Sequence, residues 1–328
     1  MPAAFHPARA TPGDRPSPRL RPGRLATLGD WLEWAERQYT RHRVALGQVA
    51  TTAHDEALYL LLHTLRLPLE SKAAVLRRKL TPEQSAQVRE VFRRRLEDHV
   101  PAAYLTREAW LGAHRFYVDE RVIIPRSYFL EIIPEQLPHW LPPKEPVKHV
   151  ADVCTGSGCL AILLAHQFQA AKVDAIELSP GALAVAKFNV ATHGLGKRVK
   201  LFHSDVFDAV PPPPRLRRTG PRGYLYDLII SNPPYVPTRE LRRLPAEFKH
   251  EPPMALNGGP DGLDVIRKLL RQARDRLQPH GIVVLEVGGL RPAMDRTFPA
   301  LDLHWLHTAD GEDCVCIVQA ARLKAWRG

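Results

Sequence analysis

The sequence predicts an α/β protein. A doubly wound, mostly parallel seven-stranded sheet with one antiparallel strand follows a small all-helical domain and a β-hairpin linker. Three observations carry this reading. Residues 25–100 show helical apolar spacing and helix-start signals. From residue 148, strand-like runs alternate with helical ones, which implies parallel pairing through crossover helices. The last two strand runs are joined by the short TADGED turn, a hairpin that places one antiparallel strand in the sheet. The expected segments are a tail at 1–24, the helical domain at 25–102, the hairpin at 103–128 and the sheet domain at 129–328.

In chain order, Thr27-Leu-Gly-Asp30 reads as a cap before a helix on which Trp31, Ala35 and Tyr39 recur. Leu58, Leu61, Leu62 and Leu65 fall on one helix face. Thr81-Pro82-Glu83-Gln84 starts another helix with a capping box, Val88, Val91 and Phe92 form its buried stripe, and Pro101 is expected to stop it. AWLGAHRFYVDERVII reads as two strands around a turn. The prolines of 134–146 read as a loop. The strands of the sheet are expected at 149–154, 172–178, 198–204, 225–231, 281–287, 301–306 and 313–320. Helices are expected after the first and second strands and at 261–277.

Composition bounds the rest. The 328 residues carry 31 Pro and a net charge of +11, which invites a nucleic-acid reading. The charge is local: +4 lies in 1–24, +4 in the insertion 211–223 and +6 in 66–95, so the remaining chain sums to −3. No apolar run approaches the ~20 residues of a membrane span. The N-terminus lacks the apolar stretch of a secretory signal; it is Arg-rich like a transit peptide, and its prolines favour a disordered tail. Cys154, Cys159, Cys314 and Cys316 form no C-x-x-C pair, so structural thiols in a reducing cytoplasm are expected ahead of a metal site. The histidines show no metal-ligand spacing, and no metal is expected.

Two motifs carry chemistry. Asp152-Val-Cys154-Thr155-Gly156-Ser157-Gly158 follows the first strand and opens a helix, where glycines let backbone approach a ligand. Glu177 ends the second strand about 20 residues on, the spacing of an acid that holds ribose hydroxyls. Together they point to a nucleoside cofactor; alone, the glycines could simply form a tight turn. The fourth strand ends in Asn232-Pro233-Pro234-Tyr235. A planar amino group has a delocalised lone pair and is a poor nucleophile. The Asn232 side-chain oxygen and the Pro233 carbonyl can each accept one of its N–H groups, aim its lone pair and stabilise developing positive charge. The two prolines stiffen the loop, and Tyr235 offers a flat face. Read alone, NPPY could equally be a rigid turn.

In this order, the Gly loop, Glu177, Ser204-Asp205 and NPPY resemble class I (Rossmann-like) S-adenosylmethionine-dependent methyltransferases that methylate amino groups. The helical domain, the hairpin ending IIPRS and EPPMALNGGPDGLD (251–264) narrow the resemblance to protein-(glutamine-N5) methyltransferases. FYVDERVIIPRS and DVCTGSGC are similar to the branch that modifies large-subunit ribosomal protein three. The release-factor branch typically has Gly where Cys154 stands, and Pro-Arg-Pro in place of Pro125-Arg126-Ser127. The resemblance spans about residues 26–320. It implies S-adenosyl-L-methionine as cofactor in the sheet domain, with Thr155, Gly156, Ser157 and Gly158 around its methionine part, Glu177 at the ribose, Asp205 at the adenine amino group, and Asp152 and Asn232 also among the cofactor-binding residues. Asn232, Pro233, Pro234 and Tyr235 would hold the glutamine amide, and the helical domain would recognise the protein substrate. Tyr128 stands where Pro is usual after PRS, so the local turn is expected to differ; the 211–223 insertion takes no role from the family.

Other readings stay open at this level: release factors as substrate, an exocyclic amino group of RNA or DNA, or a non-catalytic assembly factor that retains the fold. Arg126 either contacts cofactor or substrate or orders the hairpin. The 66–95 segment is a solvated helix face or lies near RNA. Trp31 and Trp34 are expected in the core. The protein is expected in the cytoplasm, with no membrane partner.

Overall fold

The structure is a computed structural model that describes residues 25–47, 49–143, 145–213 and 224–327. The tail at 1–24 and most of the insertion, 214–223, lie outside the described residues. The described residues divide into two compact units: those from Leu25 to Glu108 together with Pro245–His250, and those of Ala109–Leu244 together with those from Glu251 onward.

The first unit is built on the helices Leu28–His42, Ala53–Thr64, Pro82–Leu96 and Ala102–Thr106. Thr27 and Thr81 each cap a helix through a reciprocal box, with Asp30 and Gln84 reaching back to the cap backbone. The third helix ends at Leu96, before Pro101, and Pro101 instead caps the short helix after it. Trp31 is fully buried and meets Trp34 edge-on at 5.4 Å, while Trp34 meets Phe92 at 5.8 Å. Trp31 is therefore a core residue, and Trp34 is partly buried against the same core. Of the basic segment 66–95, Arg66, Lys72, Arg77 and Lys79 are exposed, but Arg95 is not. Its side chain is wholly buried, where its Nε donates to Glu56 at 2.6 Å and its guanidinium also reaches Glu247 at 3.2 Å and the Ala45 carbonyl at 2.7 Å.

The hairpin of β1 (Glu108–Leu111) and β2 (His114–Tyr117) starts at the boundary, and from Ala109 on it belongs to the second unit. Then come β3 (His149–Val153), β4 (Lys172–Glu177), β5 (Val199–His203), β6 (Tyr226–Ser231), β7 (Leu277–Glu286), β8 (His304–Leu306) and β9 (Val315–Gln319). These seven form one sheet in the order β5-β4-β3-β6-β7-β9-β8. Strands β3 to β7 run parallel, and β9 is antiparallel to both β7 and β8. This is the class I methyltransferase arrangement, in which β3 has β4 on one side and β6 on the other. The chain order reverses there, and the crevice outside the carboxyl ends of β3 and β6 is the switch point where such sheets bind ligands. Alternate strand residues feed two apolar layers: Val150, Val173, Leu228 and Val284 on one face, Ala151, Val153, Ile229 and Val283 on the other.

Several boundaries differ from expectation for local reasons. The first part of the proline cluster at 134–146 is helical, within Phe129–Glu135 and Leu137–Trp140, while the described residues after Trp140 form the expected loop. Burial of Phe129, Ile132, Ile133 and Leu137 outweighs the hydrogen bond lost at Pro134. The helix expected from 261 starts at Asp264, because Gly262 holds a left-handed φ of +84°. Strand β7 begins earlier, at Leu277, and β8 is shorter, its first residues forming a turn of 3-10 helix at Pro299–Leu301.

Candidate active site

The Gly loop and Glu177 meet at the carboxyl ends of β3 and β4. Asp152 is fully buried, its Oδ2 accepting from the Thr155 hydroxyl at 2.5 Å and from the Ala161 backbone N–H at 2.9 Å. Its other oxygen, Oδ1, is buried without a hydrogen-bond partner. Burial pushes this carboxyl up to about 7. Glu177 accepts from the Gly156 N–H at 2.9 Å and the Ser179 N–H at 2.8 Å, so its head is fixed in the crevice. Gly158 combines a φ of +81° with a position where a Cβ would lie 3.2 Å from that of Ala186, so a side chain there would be both strained and tightly packed. Cys154 also has a positive φ, +63°; Gly would adopt it without strain, whereas here a β-carbon carries the cost.

The loop is braced from the hairpin. Asn189, 1% exposed, accepts from the Tyr117 N–H at 2.8 Å and donates to the Tyr117 and Ser157 carbonyls at 3.0 and 2.9 Å. Ser204 lies beside Glu177, its N–H donating to the Glu177 carbonyl at 2.9 Å. The neighbouring Asp205 is half exposed and paired with Lys268 at 2.7 Å, a cation that also binds Asp208.

NPPY stands next to the Gly loop because β3 and β6 pair Val153 with Ser231, and the Ser231 hydroxyl donates to the Val153 carbonyl at 2.6 Å. The Asn232 amide donates to Glu286 Oε1 at 3.0 Å. A carboxylate can only accept, so this contact turns the Asn232 oxygen away as a free acceptor. Glu286, buried at the end of β7, also accepts from the Ser127 hydroxyl at 2.5 Å and the Tyr128 N–H at 3.2 Å. Burial raises its pKa to about 7, against these hydrogen bonds. A proline at 128 would have no N–H for this bond, which gives the unusual Tyr128 a definite local consequence. Arg126 forms a two-pronged pair with buried Glu251 at 2.6 and 2.8 Å, so it orders the chain around the site.

Glycines shape the other side. A Cβ on Gly262 would lie 2.3 Å from the Tyr235 carbonyl oxygen, and one on Gly288 2.7 Å from the Tyr235 ring. The Val236 N–H donates to the Leu256 carbonyl at 2.8 Å, and Gly258 N–H returns to Val236 at 2.9 Å. IIPRS, EPPMALNGGPDGLD and the end of β7 thus converge on NPPY. Gly262→Ala is expected to lower stability by about 2 kcal/mol or more, from positive φ plus displacement of the Tyr235 carbonyl. Thermal denaturation checks this, and wild-type stability in the variant would show that the loop yields freely.

Sequence reasoning locates Asp152 to Gly158, Glu177 and Asn232 to Tyr235, and the fold gathers them at one crevice. It misses Glu286, Ser127, Asn189 and Glu251. Glu286 had a readable signal: like Glu177, it is an acid ending an apolar strand at the carboxyl edge. The four cysteines are free thiols. The absence of local metal spacing among histidines does not extend to space, since His114, His166 and His193 come together. Among the described residues, no helix is long and apolar enough to cross a membrane.

Comparison with known proteins agrees with this geometry. The family model described as Methyltransferase small domain matches residues 135–248. A ribosomal protein uL3 glutamine methyltransferase of Burkholderia pseudomallei is 44% identical over 94% of this chain and 99% of its own length. Proteins of the same description from Neisseria meningitidis serogroup A and Bordetella pertussis are each 42% identical over 91% of this chain, covering 95% and 97% of their own lengths. With a methyltransferase sheet, NPPY held at its switch point and near-complete overlap with these relatives, the chain belongs to the ribosomal protein uL3 glutamine methyltransferase family.

Proposed function

We propose that the protein methylates the side-chain amide nitrogen of a glutamine in ribosomal protein uL3, using S-adenosylmethionine, in the cytoplasm. The observation that carries the reading is the Asn232–Glu286 contact, which presents a fixed carboxamide acceptor beside the Gly loop. The residues present suit the cofactor. The unpartnered Asp152 Oδ1 marks a place for the positive charge of the methionine ammonium, the Gly156–Gly158 backbone leaves space, and Glu177 retains lone pairs for ribose hydroxyls. Asp205 would reach the adenine amino group while remaining paired to Lys268. When bound, S-adenosylmethionine supplies an electrophilic sulfonium methyl.

The chain's own contribution is positioning. The Asn232 oxygen and the Pro233 carbonyl accept the two N–H groups of the glutamine amide. This twists electron density toward the nitrogen and stabilises the charge it gains as the C–S bond breaks and the N–C bond forms. The amide proton then becomes acidic and leaves to water. Tyr235 packs against the planar amide, and the helical unit, with its exposed basic residues, contacts the substrate protein near RNA. The test is transfer of labelled methyl to uL3. Label that survives nuclease and is lost to protease, mapped to a glutamine, supports the reading. Label in RNA, or in release factors in preference to uL3, overturns it.

The raised Glu286 pKa has a pH consequence. Its folded-state value, about 7, exceeds its ordinary value of 4.5, so its stabilising contribution is present below about 4.5 and lost as pH rises through about 7. Catalysis runs the other way, because ionised Glu286 is the stronger acceptor for Asn232. Accordingly, kcat is expected to rise with pH through about 7, and Glu286→Gln to flatten that rise while lowering kcat about tenfold or more. Asp152 titrates in the same range but would act on KM for S-adenosylmethionine. An unchanged kcat profile in Glu286→Gln would remove Glu286 from the mechanism.

A further inference from the structure

We propose that His114, His166 and His193 form a binding site for one divalent transition-metal ion of the zinc class, acting as a structural clip between the hairpin and two helices. The three residues come from separate elements: His114 begins β2, His166 lies in the last turn of the helix Cys159–Gln167, and His193 is the C-cap of the helix Pro180–Thr192. Their separations along the chain are far longer than any local metal motif, yet one ring nitrogen from each lies within 4.8 Å of the others. The rings of His114 and His166 are stacked at 4.7 Å, and His193 stands 5.9 and 6.0 Å from them.

A tetrahedral ion with ~2.0–2.1 Å bonds separates its ligand nitrogens by about 3.4 Å, so uptake requires the side chains to draw together and one of the stacked His114 and His166 rings to turn its in-plane lone pair toward the ion. His166 is exposed and the other two are partly so, which gives them that freedom and gives the ion a path. His193 already has the outer contact typical of a metal-bound imidazole. One ring nitrogen, Nε2, lies 2.9 Å from the Arg115 carbonyl oxygen, to which it can only donate, leaving Nδ1 as the lone-pair nitrogen.

The electrostatics agree. Burial first, and the neighbouring imidazoles second, hold His114 and His166 below their ordinary pKa. The nearby cation, Arg198, spends its guanidinium on the carbonyls of Ala165, Phe168 and Gln169. Both helices start at the carboxyl edge of the sheet and end at its amino edge, so the cluster lies opposite the methyl-transfer crevice. Its effect on that crevice would be indirect: Asn189, one turn before His193, ties β2 to Ser157.

The experiment uses the full chain stripped with a chelator and titrated with zinc, with cobalt(II) as a spectroscopic probe and magnesium as a control. Saturable one-to-one zinc uptake, a tetrahedral cobalt spectrum and a raised Tm are expected. At least tenfold weaker binding and loss of the Tm shift should follow in both His166→Ala and His114→Ala. His166 is exposed and outside the methyl-transfer machinery, so the metal-free His166→Ala protein should keep wild-type methylation and fold. No saturable uptake, or equal affinity in wild type and both variants, overturns the proposal.

Discussion

Replacing Asn232 with alanine is expected to lower kcat for glutamine methylation by about 10²–10³-fold, the usual cost of deleting one preorganised hydrogen-bonding group that acts on developing charge. The amide nitrogen would keep one acceptor, the Pro233 carbonyl, and lose its orientation. KM for S-adenosylmethionine should move far less, because the Gly loop and Glu177 are held by their own contacts. Asn232→Asp gives a sharper test. It sets a second carboxyl about 3.0 Å from Glu286, and ionising one such group strongly raises the pKa of the other, so the pair keeps a shared proton until the pH is raised further. A protonated pair mimics the wild-type contact, whereas a doubly charged pair splays. The residual activity of Asn232→Asp should therefore fall as pH rises, opposite in slope to wild type. Steady-state transfer of labelled methyl to uL3 across pH 6–9 reads both effects. A small kcat loss in Asn232→Ala, or matching pH slopes, would show that Asn232 only shapes the turn.

The legible parts of this protein are those in which a short stretch of sequence carries its own physics. The cap at Thr27 and the capping box at Thr81 are closed within four residues; both appear as read, and the Thr27 cap proves to be a reciprocal box as well. The alternation of strands and helices, and the single reversed strand after TADGED, follow from connection length. The Gly loop, Glu177 and NPPY are likewise local, and topology brings them together at the switch point. What escapes is pairing at long range. Glu286 acquires its meaning from Ser127, Tyr128 and Asn232, and Arg126 acquires its own from Glu251. None of these pairs is encoded by spacing. The histidine cluster is hidden for the same reason, and the proline-bearing helix after Tyr128 because burial of its apolar face overrides propensity. In each case the decisive partner lies tens of residues away.

The largest expected loss of stability comes from a residue that reads as part of a solvated basic face. Arg95 is wholly buried, flanked by Glu56 and Glu247, with the Tyr39 hydroxyl donating to Glu56 at 2.9 Å and the Ala45 N–H to Glu247 at 2.9 Å. Glu247 follows Tyr235 by twelve residues, so the cation holds a segment of chain that continues from NPPY inside the helical unit. Removing it leaves Glu56 out of water without a counter-charge, one of its oxygens already unpartnered, and leaves Glu247 with only the His99 ring at 3.1 Å beside it. Arg95→Met is therefore expected to destabilise the helical unit by about 3–5 kcal/mol, a Tm drop of about 10 °C or more for a unit of this size. The compensated variant, Arg95→Met with Glu56→Gln and Glu247→Gln, should recover a substantial part of that loss, because the cost lies in the stranded charges rather than in the absent pair. Thermal and urea denaturation of the three proteins side by side distinguish the cases. Wild-type stability in Arg95→Met alone would mean that water reaches these carboxylates, and would assign the network no structural weight.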